Sequence, residues 1–281
     1  SYYSFRNRYA QMVHRTFSGR SINLVVGNKN IDELTVKLKG FSYRVAKEEC
    51  LDLPPKVYTK RVVELTDEQK DMYNTMKRAA IAQHEGKLMT TESALTTLMR
   101  LHQITCGTFK ADDDTITPIK NNRVQALHDC LEEVDGKVII WATYREDIRK
   151  IVESLKKAYG EDSTVEYHGG VDPTHRQEAI ALFQEKKGPT RYFVGNAQTG
   201  GYGITLTAAT TVIYFSNNYD LEKRLQSEDR AHRIGQTGSV TYVDLVAEKT
   251  IDEKIIKALK EKVDLANDVM VEQDIKKWLE F

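Results

Sequence analysis

Val138-Ile139-Ile140-Trp141-Ala142, followed by Thr143-Tyr144-Arg145 and a charged stretch to Ala158, decides the fold. Five apolar residues in a row leave no polar face, so a strand here is covered on both sides, as in a parallel sheet under helices. The residues from Tyr144 to Ala158 then read as a helix. Toward the C-terminus the alternation repeats. Val165-Glu166-Tyr167 leads to a helix opened by Pro173 and reaching Lys186, and Tyr192-Phe193-Val194 ends in a glycine-rich turn. Thr211 to Phe215, a helix from Leu221 to His232, a strand from Val240 to Val246 and a helix from Ile251 complete the series. Strand and helix in strict alternation imply right-handed crossovers and an α/β fold, a parallel sheet with helices on both faces. Ligands of such sheets sit beyond the carboxyl ends of the strands.

The pattern changes on the N-terminal side of this series. Leu53-Pro54-Pro55-Lys56 breaks regular structure, and Val57 to Leu65 alternates as an extended strand does. Thr66 with Gln69 three residues on is a capping-box pattern, and Asp67 and Glu68 suit the first turn of a helix that ends near Gly86. Residues 91 to 105 give a second helix, with Leu95, Leu98, Leu101, His102 and Thr105 on one side. Asp112-Asp113-Asp114 marks a polar loop, and a boundary near residue 115 separates a mainly helical segment, 1–115, from an α/β lobe, 116–281. The first 45 residues interleave aromatic and basic side chains around a strand-like run, Ile22 to Val26, a turn at Gly27-Asn28-Lys29-Asn30 and a helix from Ile31 to Leu38. Such a segment either stacks on bases and phosphates or packs on a neighbouring domain.

Composition narrows the class. The 281 residues are 40% hydrophobic and 29% charged, ordinary for a globular protein, and no apolar run approaches the ~20 residues of a membrane span. There is no signal-peptide pattern, and a chain starting at Ser1 rather than Met reads as a piece of a longer one. Cys50, Cys106 and Cys130 are odd in number and free of CxxC spacing, which points to reduced thiols of a cytosolic compartment and to core packing for the His102/Cys106 pair. The 41 basic and 41 acidic residues balance, yet the first sixty residues hold eleven Lys/Arg against five Asp/Glu. That local excess favours a phosphate backbone nearby.

Chemistry-bearing residues collect at the strand ends. Trp141-Ala142-Thr143-Tyr144-Arg145 offers hydroxyls, an arginine and a helix N-terminus. His168-Gly169-Gly170 permits close backbone approach, and Asn196 to Gly203 is a glycine-rich turn whose N–H groups suit an anion. Farther on, Gln226 to Gln236 sets Arg230 and Arg233 three residues apart, so that on a helix both guanidinium forks leave one face toward a polyphosphate. An isolated RxxR is also the ordinary pattern of a solvated helix. Order and spacing separate the two readings.

Taken together, the motifs resemble the carboxyl-terminal RecA-like lobe of the Swi/Snf-related ATPases, a branch of the superfamily-two helicases. Lys137 to Tyr144 is similar to the family's motif IV, and Gly169 through Arg176 to Phe183 to its G-x-x-P/D-x-x-x-R…F block. Thr199 to Ala209 resembles motif V and Gln226 to Gln236 motif VI, the latter almost letter for letter. Upstream, Tyr43-Arg44, Leu53-Pro54-Pro55-Lys56, Leu65-Thr66-x-x-Gln69 and Leu98-x-x-Leu101-His102-x-Ile104 look like the segment between the two lobes. The resemblance spans residues 40 to 265. Departures are Gly201-Tyr202-Gly203 for Gly-Leu-Gly, Thr205 for an asparagine, His168 for an aspartate and a loose Trp-Asn-Pro match at Ser216 to Asp220; they suit a bacterial or phage member rather than a chromatin remodeller.

The resemblance implies a motor that translocates on double-stranded DNA with ATP and Mg²⁺. It assigns Arg230 and Arg233 as arginine fingers, places Gln226 and Gly203 near the nucleotide, and sets Tyr144, Arg145, His168, Gly169, Thr199 and Gly200 along the DNA backbone. The phosphate loop is missing, since the two Gly-Lys pairs continue into Leu88 and Val138, and no strand carries an Asp-Glu pair for magnesium. ATP and Mg²⁺ are thereby expected mainly on an N-terminal RecA-like lobe, the implied partner, with no membrane involved and a cytoplasmic location, or a nuclear one in a eukaryote. Two other classes stay open: a stand-alone nucleic-acid-binding or regulatory module, and a phosphometabolite enzyme on a doubly wound fold. The second needs a nucleophile or general base at a strand end, and none stands out.

Overall fold

The computed structural model describes residues 1–17, 20–42, 51–86, 91–111, 115–200, 203–217 and 219–261. Six strands form one parallel sheet in the order β3-β10-β9-β6-β8-β7, with β3 at Lys56–Val62, β6 at Lys137–Trp141, β7 at Thr164–Tyr167, β8 at Tyr192–Gly195, β9 at Ala209–Tyr214 and β10 at Val240–Val246. Every crossover from β6 onward carries a helix: α6 at Arg145–Tyr159, α7 at Pro173–Gln184, the short α8 at Ala197–Gly200 and α9 at Leu221–Ala231, while α10 at Ile251–Glu261 follows the last strand. This is the α/β fold expected from the alternation, in the RecA-like form that the resemblance implied.

Full burial of β6 explains why its sequence lacks a polar face. Val138 and Ile140 point into one core with Ile148, Ile151 and Leu155 of α6. Ile139 and Trp141 point into the other with Phe183, Phe193 and Tyr242. Each such side chain contributes roughly 1.5–3 kcal/mol of transfer free energy, so the central strands anchor both layers. By contrast β3, at the edge, leaves Val57, Tyr58 and Val62 exposed.

Upstream, α3 at Asp67–Gly86 begins with the predicted capping box. The Gln69 N–H donates to Thr66 Oγ1 at 3.3 Å and the Thr66 N–H to Gln69 Oε1 at 3.2 Å. Gln69 Nε2 also donates to the Ile104 carbonyl of α4, Thr91–Cys106, at 2.7 Å. Tyr73 and Ala80 of α3 and Leu98, Leu101 and Ile104 of α4 pack with Ile251, Ile255 and Ala258 of α10. The helical segment is therefore closed onto the lobe by its last helix. β3 also precedes the boundary proposed near residue 115 and yet pairs along its length with β10, completing the sheet edge.

A short hairpin, β4 at Thr108–Lys110 with β5 at Ile116–Pro118, leads to α5 at Arg123–Glu132, a helix the periodicity did not announce. From it Arg123, fully buried, donates to the carbonyls of Thr105 at 3.2 Å, Phe215 at 2.6 Å and Leu245 at 3.1 Å, and pairs with Asp252. One guanidinium thus joins the helical segment, two strand ends and α10. His102 and Cys106 lie buried beside it, as core packing requires; burial is the main cause that holds His102 down to about 4 and keeps the Cys106 thiol well above its usual value.

At the N-terminus, α1 at Tyr2–Tyr9, the antiparallel pair β1 at Ala10–Phe17 and β2 at Arg20–Asn28, and α2 at Ile31–Lys39 form a small unit. Glu33 accepts from Arg8, Lys37 and Tyr9, and these hydrogen bonds hold its carboxyl at about 2. Tyr2, Tyr3 and Phe5 are exposed. The expected loop at Asp112-Asp113-Asp114, together with Tyr43-Arg44, Cys50 and Gly201-Tyr202, lies outside the described residues.

Candidate nucleotide and nucleic-acid site

The ends of β6, β7 and β8 converge. Arg145, first residue of α6, is exposed, and its Nη2 lies 3.9 Å from where a Cβ on Gly169 would stand; Thr199 Oγ1 lies 4.0 Å from the same point. Motif IV, the glycine turn and motif V thereby meet on one surface patch. The Arg145 side chain makes no hydrogen bond or ion pair with another described residue. His168 sits behind this patch: its Nδ1 accepts the Gly170 N–H at 3.0 Å, which makes Nδ1 the unprotonated nitrogen and shapes the turn.

Two residues expected on this surface face elsewhere. The Tyr144 hydroxyl meets His102 Nδ1 at 2.9 Å and the Met99 carbonyl at 3.4 Å, so its ring packs on α4 and burial raises the phenol well above its usual value. Gly200 is buried. A Cβ there would stand 2.4 Å from Trp141 Cη2, so glycine is required for the indole to pass beneath α8, not for a ligand to approach. The backbone around them is pinned by side chains whose role the motifs did not announce. Asn196 Nδ2 donates to the Ala142 and Thr143 carbonyls at 3.2 and 2.8 Å, and Ser216 Oγ accepts the Thr143 N–H at 2.8 Å.

On the other side of the lobe stands α9. Asp220 caps it, its carboxylate accepting the Lys223 N–H at 3.1 Å, and the helix ends at Ala231, earlier than two arginines on one face demand. The His232 N–H closes the last turn on the Glu228 carbonyl, and ψ near 79° then carries the chain out of the helix. Arg230 stays on the helix and Arg233 lies in the turn beyond it. They remain neighbours in charge. Burial, and then the Arg233 charge, lower the Arg230 guanidinium below its usual value.

Arg230 is half-buried, with Nε donating to the Gln226 carbonyl at 2.9 Å and Nη1 to the Ile204 carbonyl at 3.2 Å. Its own carbonyl accepts the Leu206 N–H at 2.9 Å. The last letter of the motif closes the same joint: Gln236 Nε2 donates to the carbonyls of Ala209 at 2.8 Å, Ala231 at 3.2 Å and Thr207 at 3.3 Å. Motifs V and VI are therefore one hydrogen-bonded body. Gly203 sits at its rim with φ of 70° and open space where a Cβ would be, so the backbone conformation, not room, selects glycine. Gln226 donates to Glu222 Oε1 at 2.7 Å, while its own Oε1 is buried without a partner.

Behind the joint lies a second cluster that sequence reasoning missed. Arg224, 7% exposed, stacks 3.5 Å over the Tyr214 ring and bonds Glu228 at 2.9 Å and Asp244 at 2.5 Å. Burial opposes the charge on Glu228, but Arg224 and Lys56 together hold its carboxyl below the usual range. Arg224 precedes the quoted motif by two residues, and only its helical spacing to Glu228 hinted at the pair.

No helix among the described residues is long and apolar enough to cross a membrane, and no group of three or more His, Cys, Asp or Glu among them could hold a metal ion. The family of helicase conserved C-terminal domains matches residues 122–235. An uncharacterized ATP-dependent helicase of Mycoplasma genitalium is 27% identical over 249 residues, which cover 87% of this chain and 24% of that protein. The chain thus spans about a quarter of that relative's length. Among solved structures, the C-terminal part of the Fun30 ATPase domain superposes with a TM-score of 0.65 at 20% identity, over 81% of this chain and 96% of that one. The SWI2/SNF2 ATPase core of Sulfolobus solfataricus, solved in complex with double-stranded DNA, gives 0.58 at 25% identity, over 90% and 54%. Fold, motif order and these relatives agree: residues 122–235 match a helicase conserved C-terminal domain, and the chain is similar to the carboxyl-terminal RecA-like lobe of Swi2/Snf2-type ATPases.

Proposed function

We propose that this lobe is one wall of an ATP-driven motor on double-stranded DNA. It supplies Arg230 and Arg233 to a nucleotide held by a second RecA-like lobe. The observation that carries this reading is Arg233, exposed and without a side-chain partner among the described residues, beside a half-buried Arg230. Guanidinium forks placed this way suit charge developing on transferred phosphate oxygens, a role typically worth roughly 10³ to 10⁵ in rate. Gly203 lets the backbone turn at the same rim.

Arg145, Gly169 and Thr199 face one phosphate strand, which fixes position without reading bases. His168 supports their turn. Because the Ile204 to Ala209 segment is bonded to Arg230, Ala231 and Gln236, a shift of the motif V grip is carried directly to the arginines. That coupling is how hydrolysis and movement along DNA are linked here. Tyr144 and Gly200 are left to packing. Among the described residues no cluster of carboxylates would hold magnesium.

A complete site needs both lobes. The isolated chain is expected to hydrolyse no ATP, with or without duplex DNA, and to gain DNA-stimulated turnover when joined to a lobe that carries a phosphate loop. Robust DNA-stimulated hydrolysis by the isolated chain would sink the proposal.

A further inference from the structure

The segment that enters the sheet edge, Pro54 to Tyr58, makes four polar contacts with the arginine-bearing end of α9. His232 Nε2 donates to the Pro54 carbonyl at 2.7 Å; a carbonyl only accepts, so this nitrogen carries the proton. Lys56 Nζ lies 3.0 Å from Glu228 Oε2 and 3.5 Å from Asp229 Oδ1. The Tyr58 hydroxyl donates to Glu228 Oε2 at 2.8 Å. Glu228 and Asp229 immediately precede Arg230, and His232 stands between Arg230 and Arg233. The contacts flank Arg230 on both sides and end one residue before Arg233.

The Lys56 pair differs in kind from its neighbour on the same strand. The Glu228 side chain is 4% exposed and that of Lys56 22%, whereas Lys60 and Glu248, 3.3 Å apart, are 55% and 46% exposed. Solvent screens the second pair to near nothing and the first much less. Lys56 also offsets charge, since Lys56 and Arg224 face Glu228 and Asp244, with the more exposed Asp229 beside Lys56 as a third carboxylate. Without its ammonium the cluster behind α9 keeps an excess negative charge, and the turn holding Arg230 and Arg233 loses a fixed support.

The approach to β3 is also stiff. Pro54-Pro55 restricts the backbone, and the Pro55 carbonyl accepts the Val240 N–H at 3.3 Å, which ties the approach to the start of β10. Such a segment passes a displacement on where a flexible one would absorb it.

We infer that Lys56 is a positioning residue for the arginine turn, and that the Pro54–Tyr58 segment is a strut through which the connection between the two lobes sets the place of Arg230 and Arg233. The inference rests on the reading of those arginines as nucleotide-facing. Lys56 touches no substrate. Its effect runs through Glu228, Asp229 and the end of α9.

The test uses the full-length ATPase with Lys56→Met, Lys56→Arg, Lys60→Met and Arg233→Ala. Lys56→Met is expected to lower the DNA-stimulated kcat about 10- to 100-fold, as small misplacements of reacting groups do, with the KM for ATP and the affinity for duplex DNA unchanged. Lys56→Arg restores most of the rate, and Lys60→Met behaves as wild type. A kcat for Lys56→Met close to wild type, with Arg233→Ala inactive, overturns the strut and leaves the arginine reading standing. Near-normal turnover by Arg233→Ala removes the reading itself, and the strut with it. Should Lys56→Met fail to fold, Lys56→Met/Glu228→Gln removes one charge of each sign. The folded double variant must still show the kcat loss, and a normal kcat overturns the inference.

Discussion

Two pairs of arginines divide the molecule. Arg123 and Arg224 are buried, and each is matched inside the chain by carboxylates and carbonyl oxygens. Arg145 and Arg233 are exposed, and their side chains have no hydrogen-bond or ion-pair partner among the described residues. Desolvating a guanidinium costs several kcal/mol, so a buried one persists only where the fold supplies its acceptors. An exposed one stays hydrated and keeps its forked donors for a phosphate. One side chain serves architecture in one place and ligand recognition in the other, and burial with partnering separates the two.

The sharpest way to break this division is Arg233→Ala in the full-length ATPase. Hydrolysis should fall by roughly 10³-fold or more with nucleotide binding largely kept and thermal stability unchanged; steady-state kinetics beside a melting curve measures both. A lowered melting temperature with normal turnover would move Arg233 to the architectural group.

Arg123→Met should do the opposite. It leaves Asp252 buried without its partner and three carbonyls without a donor, a loss of about 3–5 kcal/mol in urea unfolding. A variant as stable as wild type would show that the hub does not hold the segments together.

Asp147 sharpens the buried side, because both its carboxylate oxygens are buried without a hydrogen-bond partner. Burial raises its pKa to about 7, although Arg123 and Lys150 favour the charge. The folded chain holds this proton where the unfolded chain releases it, so stability is lost as pH rises from about 4 to about 7. Asp147→Asn should therefore stabilise the chain by on the order of 3 kcal/mol at about pH 8 and have little effect near pH 4. Equal effects at both pH values would contradict the burial of an unmatched charge. His102, pushed down to about 4, has the opposite sign: the folded chain keeps it neutral where the unfolded chain protonates it, so stability is lost as pH falls from about 6.5 to about 4, and the two groups oppose one another over that window.

The smallest effect belongs to Arg145→Ala. Duplex DNA should bind more weakly, by about the same factor for every sequence, and the slope of log affinity against log salt should drop by about 1. Stability should not change. A sequence-dependent loss would mean that Arg145 reads bases.

Much of this was legible in the chain. The unbroken apolar run Val138 to Ala142 determined a strand covered on both faces, and Thr66 with Gln69 determined where α3 begins, because both are local properties of a few neighbouring residues. The order of the strand-end motifs gave the resemblance to the family, and it put Arg145, Gly169 and Thr199 at strand ends that the fold brings together. Tertiary structure decided the rest. Tyr144 turns onto His102, Gly200 lies against the Trp141 indole, α9 stops before Arg233, and Lys56 reaches Glu228 across 172 positions of sequence. A motif fixes spacing along one element. The direction of a side chain and the partner of a charge depend on what the fold packs against it.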